Sequence, residues 1–174
     1  MKLEEAHNLA YQMRLLGMHA AIERRVAQAL AESLHPLEFF GLLLDDEQRH
    51  RNEARSKRLT ARAKFRINCD IEDWDMTYDR GVSKAKLKDL VSLNFHHDRE
   101  NLLLYGKTGE GKTHLANAIG RRLCFAGIPT TFFSTNLLFE EVAAERAAGG
   151  YLKFLQRINR AKVLILDDFG LRQY

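Results

Sequence analysis

The stretch GKTGEGKT, residues 106–113, matches every fixed position of the phosphate-binding loop pattern G-x-x-x-x-G-K-[ST]. Its glycines allow backbone N–H groups to curl around an anion, and the start of a following helix adds its dipole and free donors. The apolar run at 102–105 predicts a buried strand before the loop, and the apolar spacing within 113–123 predicts a helix after it. The stretch therefore predicts a strand, a loop and a helix that together bind phosphate groups of a nucleotide.

The expected cofactors of this loop are ATP and Mg²⁺, and Lys112 and Thr113 have specific expected roles. Lys112 would reach the β- and γ-phosphates as a point charge and is also a candidate catalytic residue, while the Thr113 hydroxyl is a hard oxygen ligand suited to Mg²⁺. The alternative is a glycine-rich turn without a ligand, which the strand–loop–helix context disfavours. The expected nucleotide-binding residues are Gly106, Lys107, Thr108, Gly109, Glu110, Gly111, Lys112, Thr113 and His114.

A second motif, VLILDD at 163–168, follows the first in the order that a nucleotide site requires. A run of leucine and β-branched residues that ends in paired carboxylates has the form of a Walker B strand. We expect Asp167 to hold Mg²⁺ through water and Asp168 to act as a catalytic residue that polarises the attacking water. The alternative is a buried strand that exits into an acidic turn, and the position downstream of a phosphate loop favours the metal site.

The segment between the two motifs indicates which class of phosphate-loop protein the chain belongs to. A turn at 127–129 introduces TTFFS, residues 130–134, which predicts a further strand. Helices are predicted at about 136–148 and 151–159. An additional strand between the two motifs favours the additional-strand ATPases, which include the AAA+ group, over small kinases and GTPases.

The composition indicates in which cellular compartment the protein is expected and whether it is expected to cross a membrane. The chain has 174 residues, of which 45% are apolar, and its two cysteines lack metal or redox spacing. The longest apolar runs are too short to cross a membrane, and Glu4 and Glu5 stand where a signal peptide would carry positive charge. We therefore expect a cytoplasmic protein with reduced, buried thiols and no membrane partner.

Positive charge is concentrated in one block of the sequence. Residues 1–48 carry four basic and eight acidic side chains, whereas residues 49–66 carry eight basic and one acidic. Pro36 is expected to open a helix that runs into this block. There, arginines recur at spacings of four, three, four and four and would line one helical face: Arg51, Arg55, Arg58, Arg62 and Arg66. We expect this arginine ridge to contact the phosphate backbone of double-stranded DNA without reading bases, the alternative being a solvated charged face.

Four stretches resemble the IstB transposition helper ATPases, which are close relatives of the DnaC-type helicase loaders. They are MRLLGMHAAI at 13–22, HPLEFF with LLLDDEQRHR within 35–51, KTGEGKTHLANAIG at 107–120 and VLILDDFG at 163–170. The resemblance implies an N-terminal helical domain, an AAA+ domain, ATP with Mg²⁺, a homo-oligomer in the full-length form, and assembly on DNA to deliver a transposase. A DnaC-like replicative helicase loader, and a non-hydrolysing remnant that binds DNA, remain as alternatives.

The predicted fold class is α/β, with an N-terminal α-helical domain followed by a P-loop AAA+ parallel-sheet domain. The predicted boundaries are 1–66 for the helical domain with the basic helix, 67–98 for a linker and lead-in, and 99–174 for the N-terminal half of the ATPase domain. Residues 3–33 predict one or two helices, with Gly17 as a possible break. Three aromatic residues in or just before the linker are expected to pack or dock, namely Phe65, Trp74 and Tyr78.

The resemblance also carries an expectation of C-terminal truncation. Family members continue for about half a domain beyond the Walker B strand, so we expect this chain to lack the sensor and arginine-finger region and to hydrolyse ATP negligibly. In the implied strand order 5-1-4-3-2, residues 102–105, 130–134 and 163–167 would be strands 1, 2 and 3. We expect strand 1 either to pair directly with strand 3 or to leave an open slot beside it.

Overall fold

The computed structural model describes residues 2–77 and 81–170, and its backbone divides into an N-terminal unit, Met1–Arg55, and a C-terminal unit, Ser56–Tyr174. Three helices come first: α1 (Leu3–Gln12), α2 (Leu16–Glu32) and α3 (Pro36–Ala63). Proline has a fixed φ suited to the first helical turn, and Pro36 does open a helix that continues into the basic block, as predicted. Within the described ranges, no helix is long and apolar enough to cross a membrane.

The break between α1 and α2 lies before Gly17, so the prediction of a break at this glycine is wrong. The helices part at residues 13–15, where Arg14 has a left-handed φ of 59°. Gly17 is instead the second residue of α2, and a Cβ there would stand 2.5 Å from the Cα of Glu47 on α3. The Glu47 carboxylate accepts the backbone N–H groups of Gly17 at 2.7 Å and Met18 at 3.2 Å, which caps the start of α2. Glycine is needed here because two helices approach closely.

The C-terminal unit holds the remaining elements around a parallel pair of strands. Thr130 lies opposite Val163 and Ser134 opposite Asp167, which confirms both predicted strands and makes the implied strands 2 and 3 neighbours. The strands are β1 (Thr130–Ser134) and β2 (Val163–Asp167), and the helices are α4 (Lys84–Ser92), α5 (Asn94–His97), α6 (Lys112–Phe125), α7 (Thr135–Ala147) and α8 (Tyr151–Ile158), with a short 3₁₀ turn at Ile71–Asp73.

The core of this unit forms around α6. Leu115, Ile119 and Leu123 recur on one face of α6 and pack with Trp74 and Leu93. The segment predicted to be a linker therefore supplies core residues, and the packing predicted for Trp74 is confirmed. Tyr78 lies outside the described residues, and the predicted domain boundaries stay predictions.

The prediction of a buried strand at Leu102–Tyr105 is wrong. Residues 101–107 form no strand, and the side chains of Leu103 and Tyr105 are 77% and 88% exposed. Only Leu104 packs against the core cluster. An apolar run becomes a strand only when a neighbour accepts and donates its backbone hydrogen bonds, and within the described residues only β1 and β2 pair. The second edge of β2 therefore has no strand partner within the described residues. Since residues 102–105 form no strand, neither of the two expected arrangements of strand 1 beside strand 3 is found.

Candidate nucleotide site

The phosphate loop has the backbone conformation that its glycines were expected to provide. Gly106, Gly109 and Gly111 have φ values of 152°, 90° and 85°, which residues with a side chain rarely adopt. A Cβ on Gly106 would collide with the carboxylate of Glu110. That carboxylate folds back into the loop and accepts the backbone N–H of Lys107 at 2.8 Å. The Glu110 carboxylate thus takes up one backbone N–H group of the loop.

Lys112 is the first residue of α6, and its side chain turns back over the loop. Its Nζ donates to the carbonyl oxygens of Gly106 at 2.8 Å and Lys107 at 2.7 Å. Gly111 is the N-cap of α6 and provides no side-chain cap. The first N–H groups of a helix have no intrahelical acceptor, so the start of α6 presents donors and a positive dipole end to an anion in the loop.

The hydroxyl of Thr113 meets the carboxylate of Asp167, which brings the two sequence motifs together. Thr113 Oγ1 lies 3.0 Å from each carboxylate oxygen of Asp167, across 54 residues of sequence. The end of β2 is fixed by Thr135, whose buried hydroxyl donates to the backbone carbonyl of Asp167 at 2.8 Å. A hydroxyl and a carboxylate are the hard oxygen donors that Mg²⁺ prefers, so these residues fit that cation.

Asp168 and Arg66 complete the acidic end of the site. Asp168 has a left-handed φ of 57° at the point where β2 ends. Nη1 of Arg66 lies 3.5 Å from Asp168 Oδ2 and 3.9 Å from Asp167 Oδ2. The helix predicted to run through Arg66 ends at Ala63, and Lys64 has a φ of 59°. The prediction that Arg66 shares a helical face with the other arginines is therefore wrong, and its side chain meets the carboxylates instead.

The segment that follows α3 is held on α6 by Asn117, which sequence reasoning missed. The buried Asn117 side chain accepts the backbone N–H of Ile67 at 3.3 Å and donates to the carbonyl of Thr113 at 2.6 Å. Farther along α6, Arg121 pairs with Asp70 at 2.8 Å and also contacts Asn68. The available signal was an amide in the middle of an apolar helical face, since a buried amide requires partners.

Two of the residues expected to bind the nucleotide, Thr108 and His114, have surroundings that differ from each other. Thr108 is exposed in the loop. His114, in the first turn of α6, has its ring 5.8 Å from the Trp74 ring, and its buried Nδ1 has no hydrogen-bond partner within the described residues. His114 thus packs toward the core, and its contact with a nucleotide stays a prediction.

The rest of the arginine ridge lies along α3. Arg51 donates to the Glu47 carboxylate at 2.7 Å, and Arg55 is exposed. Arg58 and Arg62, in the last turns of α3, are exposed and have no ion-pair partner in the part of the chain that the structure describes. These two guanidinium groups are therefore the most available positive charges of the ridge.

Comparison with known proteins identifies the family. The family model described as IstB-like ATP binding protein matches residues 8–174. A protein of Pseudomonas fluorescens named as an ATP-binding protein of insertion sequence IS1162 is 36% identical over 92% of this chain and 70% of its own length. An insertion-sequence ATP-binding protein of Mycobacterium tuberculosis is 32% identical over 96% of this chain and 66% of its own length.

The chain spans about two thirds of the length of these curated relatives. The family match nevertheless covers the end of α1, all of α2 and α3, the phosphate loop and β2. The matched range includes both Thr113 and Asp167, whose side chains are in contact. The chain belongs to the IstB-like ATP-binding protein family.

Proposed function

We propose that the protein is an ATP-binding helper of transposition that acts on double-stranded DNA and recruits a transposase. The names of its relatives place them in insertion sequences, which supports transposition over helicase loading. The single observation that carries the nucleotide site is the contact of Thr113 with both carboxylate oxygens of Asp167 at 3.0 Å, beside the phosphate loop. In this proposal the full-length protein forms a homo-oligomer in the cytoplasm.

The proposed roles follow from the placement of each side chain. Backbone N–H groups of residues 106–111 and the start of α6 surround the phosphates, and Lys112 leaves the loop carbonyls to contact the β- and γ-phosphates. Thr113 and Asp167 hold Mg²⁺, which when bound neutralises phosphate charge. Asp168 accepts a hydrogen bond from the attacking water and so orients it. In this proposal, binding of the nucleotide acts as a switch.

The proposed DNA contacts lie on the arginine ridge. Arg58 and Arg62 are exposed at the end of α3, and a guanidinium group binds phosphate oxygens well. Such contacts neutralise phosphates without distinguishing sequences, so the proposed binding is strong at low salt and not sequence-specific.

The nucleotide site is tested by Lys112→Ala, with Lys153→Ala as the control because Lys153 is exposed on α8. Binding of a fluorescent ATP analogue in Mg²⁺ buffer is measured by fluorescence anisotropy. Loss of a charge-assisted contact should weaken binding by about tenfold or more in Lys112→Ala, with an unchanged circular dichroism spectrum. Equal affinities for the two variants would refute the assignment of this loop.

A further inference from the structure

Arg66 is placed where a divalent cation would also be attracted. Its guanidinium lies within 4 Å of carboxylate oxygens of both Asp167 and Asp168, and the same Asp167 carboxylate contacts Thr113. We propose that Arg66 competes with Mg²⁺ for the Asp167 carboxylate, and that binding of Mg²⁺-nucleotide releases Arg66 to contact DNA phosphate. This competition rests on the proposed nucleotide site. It adds Arg66 as a residue that couples the binding of Mg²⁺-nucleotide to the binding of DNA.

The backbone around Arg66 explains why its side chain reaches the carboxylates. The left-handed Lys64 turns the chain off the end of α3. Phe65 then packs over Gly120 of α6, where a Cβ would stand 2.5 Å from the phenyl ring, and Ile67 is bonded to Asn117. Residues on both sides of Arg66 are thus attached to the helix that carries the phosphate loop. The side chain itself is 60% exposed and can leave.

Electrostatic repulsion between Mg²⁺ and the Arg66 guanidinium means that binding of one at Asp167 weakens binding of the other. Mg²⁺ on Asp167 would place two positive charges beside the Arg66 guanidinium, so the cation and the guanidinium cannot both be favoured on the same oxygens. A released Arg66 would offer a further positive charge just beyond the end of α3, although it does not share the helical face of Arg58 and Arg62. By reciprocity, DNA that holds Arg66 must raise the affinity of the Asp167 carboxylate for Mg²⁺.

The expected effect of Arg66 on the affinity for Mg²⁺ is small because the Arg66 side chain is exposed. Exposed ion pairs contribute little free energy in water, and their loss changes an equilibrium constant by about two- to fivefold. Salt screens them further. The effect is therefore sought at low ionic strength. It is large enough to measure as a shift in a titration midpoint.

The test measures the Mg²⁺ concentration that gives half-maximal binding of a fluorescent ATP analogue. The proteins are the unsubstituted chain, Arg66→Ala, Arg66→Lys and the control Arg160→Ala, whose arginine is exposed elsewhere in the C-terminal unit. Arg66→Ala should lower the half-maximal Mg²⁺ concentration by about two- to fivefold, Arg66→Lys less, and Arg160→Ala not at all. Saturating duplex DNA should lower it in the unsubstituted protein and not in Arg66→Ala.

An unchanged Mg²⁺ dependence in Arg66→Ala would overturn the competition and leave the nucleotide site standing. A raised Mg²⁺ requirement would overturn it as well, because it would mean that Arg66 assists nucleotide binding. Failure of the unsubstituted protein to bind the analogue would instead overturn the proposed function, and the competition with it.

Discussion

The side-chain amide of Asn117 donates to the backbone carbonyl of Thr113 at 2.6 Å, one turn back along α6, from a position without solvent exposure. The other side of the amide accepts the N–H of Ile67. A single buried side chain therefore joins the helix of the phosphate loop to the segment that carries Arg66.

Replacing this amide should destabilise the C-terminal unit. Asn117→Ala leaves the Ile67 N–H without its acceptor, so we expect the free energy of unfolding to fall by about 1–3 kcal/mol. Urea denaturation followed by circular dichroism measures it. Gln156→Ala, at an exposed position on α8, should change it by less than about 0.5 kcal/mol. Similar values for the two variants would show that the amide contacts contribute nothing.

Glu110 should weaken nucleotide binding in the unsubstituted protein. Its carboxylate accepts the backbone N–H of Lys107 in the loop, where its charge would repel the oxygens of a bound phosphate. Glu110→Gln keeps an oxygen acceptor but removes the charge, and we expect a dissociation constant for the ATP analogue that is about two- to fivefold lower. Glu140→Gln, exposed on α7, serves as the control and should not change it. A weaker Glu110→Gln complex would mean that the carboxylate supports the bound state.

The two aspartates at the end of β2 should respond differently to the same substitution. Asp167→Asn should raise the half-maximal Mg²⁺ concentration for nucleotide binding by about 10- to 100-fold, the range found when a group supporting a metal is lost. Asp168→Asn should retain Mg²⁺-dependent binding, since asparagine tolerates the left-handed φ of 57° at this position. The reverse order of effects would exchange the roles of the two carboxylates.

Reversing two charges on the ridge should weaken DNA binding without regard to sequence. For Arg58→Glu with Arg62→Glu, the dissociation constant for duplex DNA should rise at low salt, and the slope of log K against log salt should fall in magnitude by about two. Lys86→Glu with Lys88→Glu, two exposed positions on α4, makes the same change in net charge. If both pairs weaken binding equally, net charge rather than the ridge is responsible.

The two thiols should be slow to react while the protein is folded. Burial raises the pKa of the Cys124 thiol, which lies on α6, and burial likewise raises the pKa of the Cys69 thiol. A raised pKa lowers the thiolate fraction at a given pH, so reaction with a disulfide reagent at pH 8 should be far slower than in guanidinium chloride. The rate is followed by absorbance. Equal rates in the two conditions would contradict the packing around α6.

Local patterns in the sequence were sufficient for the elements that carry the motifs. β1, β2 and the helix after the phosphate loop were predicted from short β-branched or apolar runs and from apolar spacing, and the structure contains them. The strand predicted before the loop is absent. The signal for the helix is satisfied by hydrogen bonds within a few residues, whereas β1 and β2 also needed each other as partners, with Thr130 opposite Val163. Pro36 as the start of α3 belongs to the same group.

Long-range contacts decided what the sequence did not reveal. The arginine spacing continued through Arg66, but the chain leaves the helix at Lys64 and Ile67 is bonded to Asn117, 50 residues away. Gly17 was compatible with a break or with close packing, and its contact with Glu47, 30 residues away, requires the latter. In both cases the deciding partner has no local signature.

The open edge of β2 has a consequence for handling the protein in solution. Leu164 and Leu166 are exposed on a short strand whose second edge has no partner within the described residues. Unpaired backbone groups beside apolar side chains form a template to which another chain can add by strand pairing, and no charge interrupts β2 before Asp167. Colloidal behaviour should therefore depend steeply on protein concentration, and dilution rather than cooling is the condition that keeps the molecules apart.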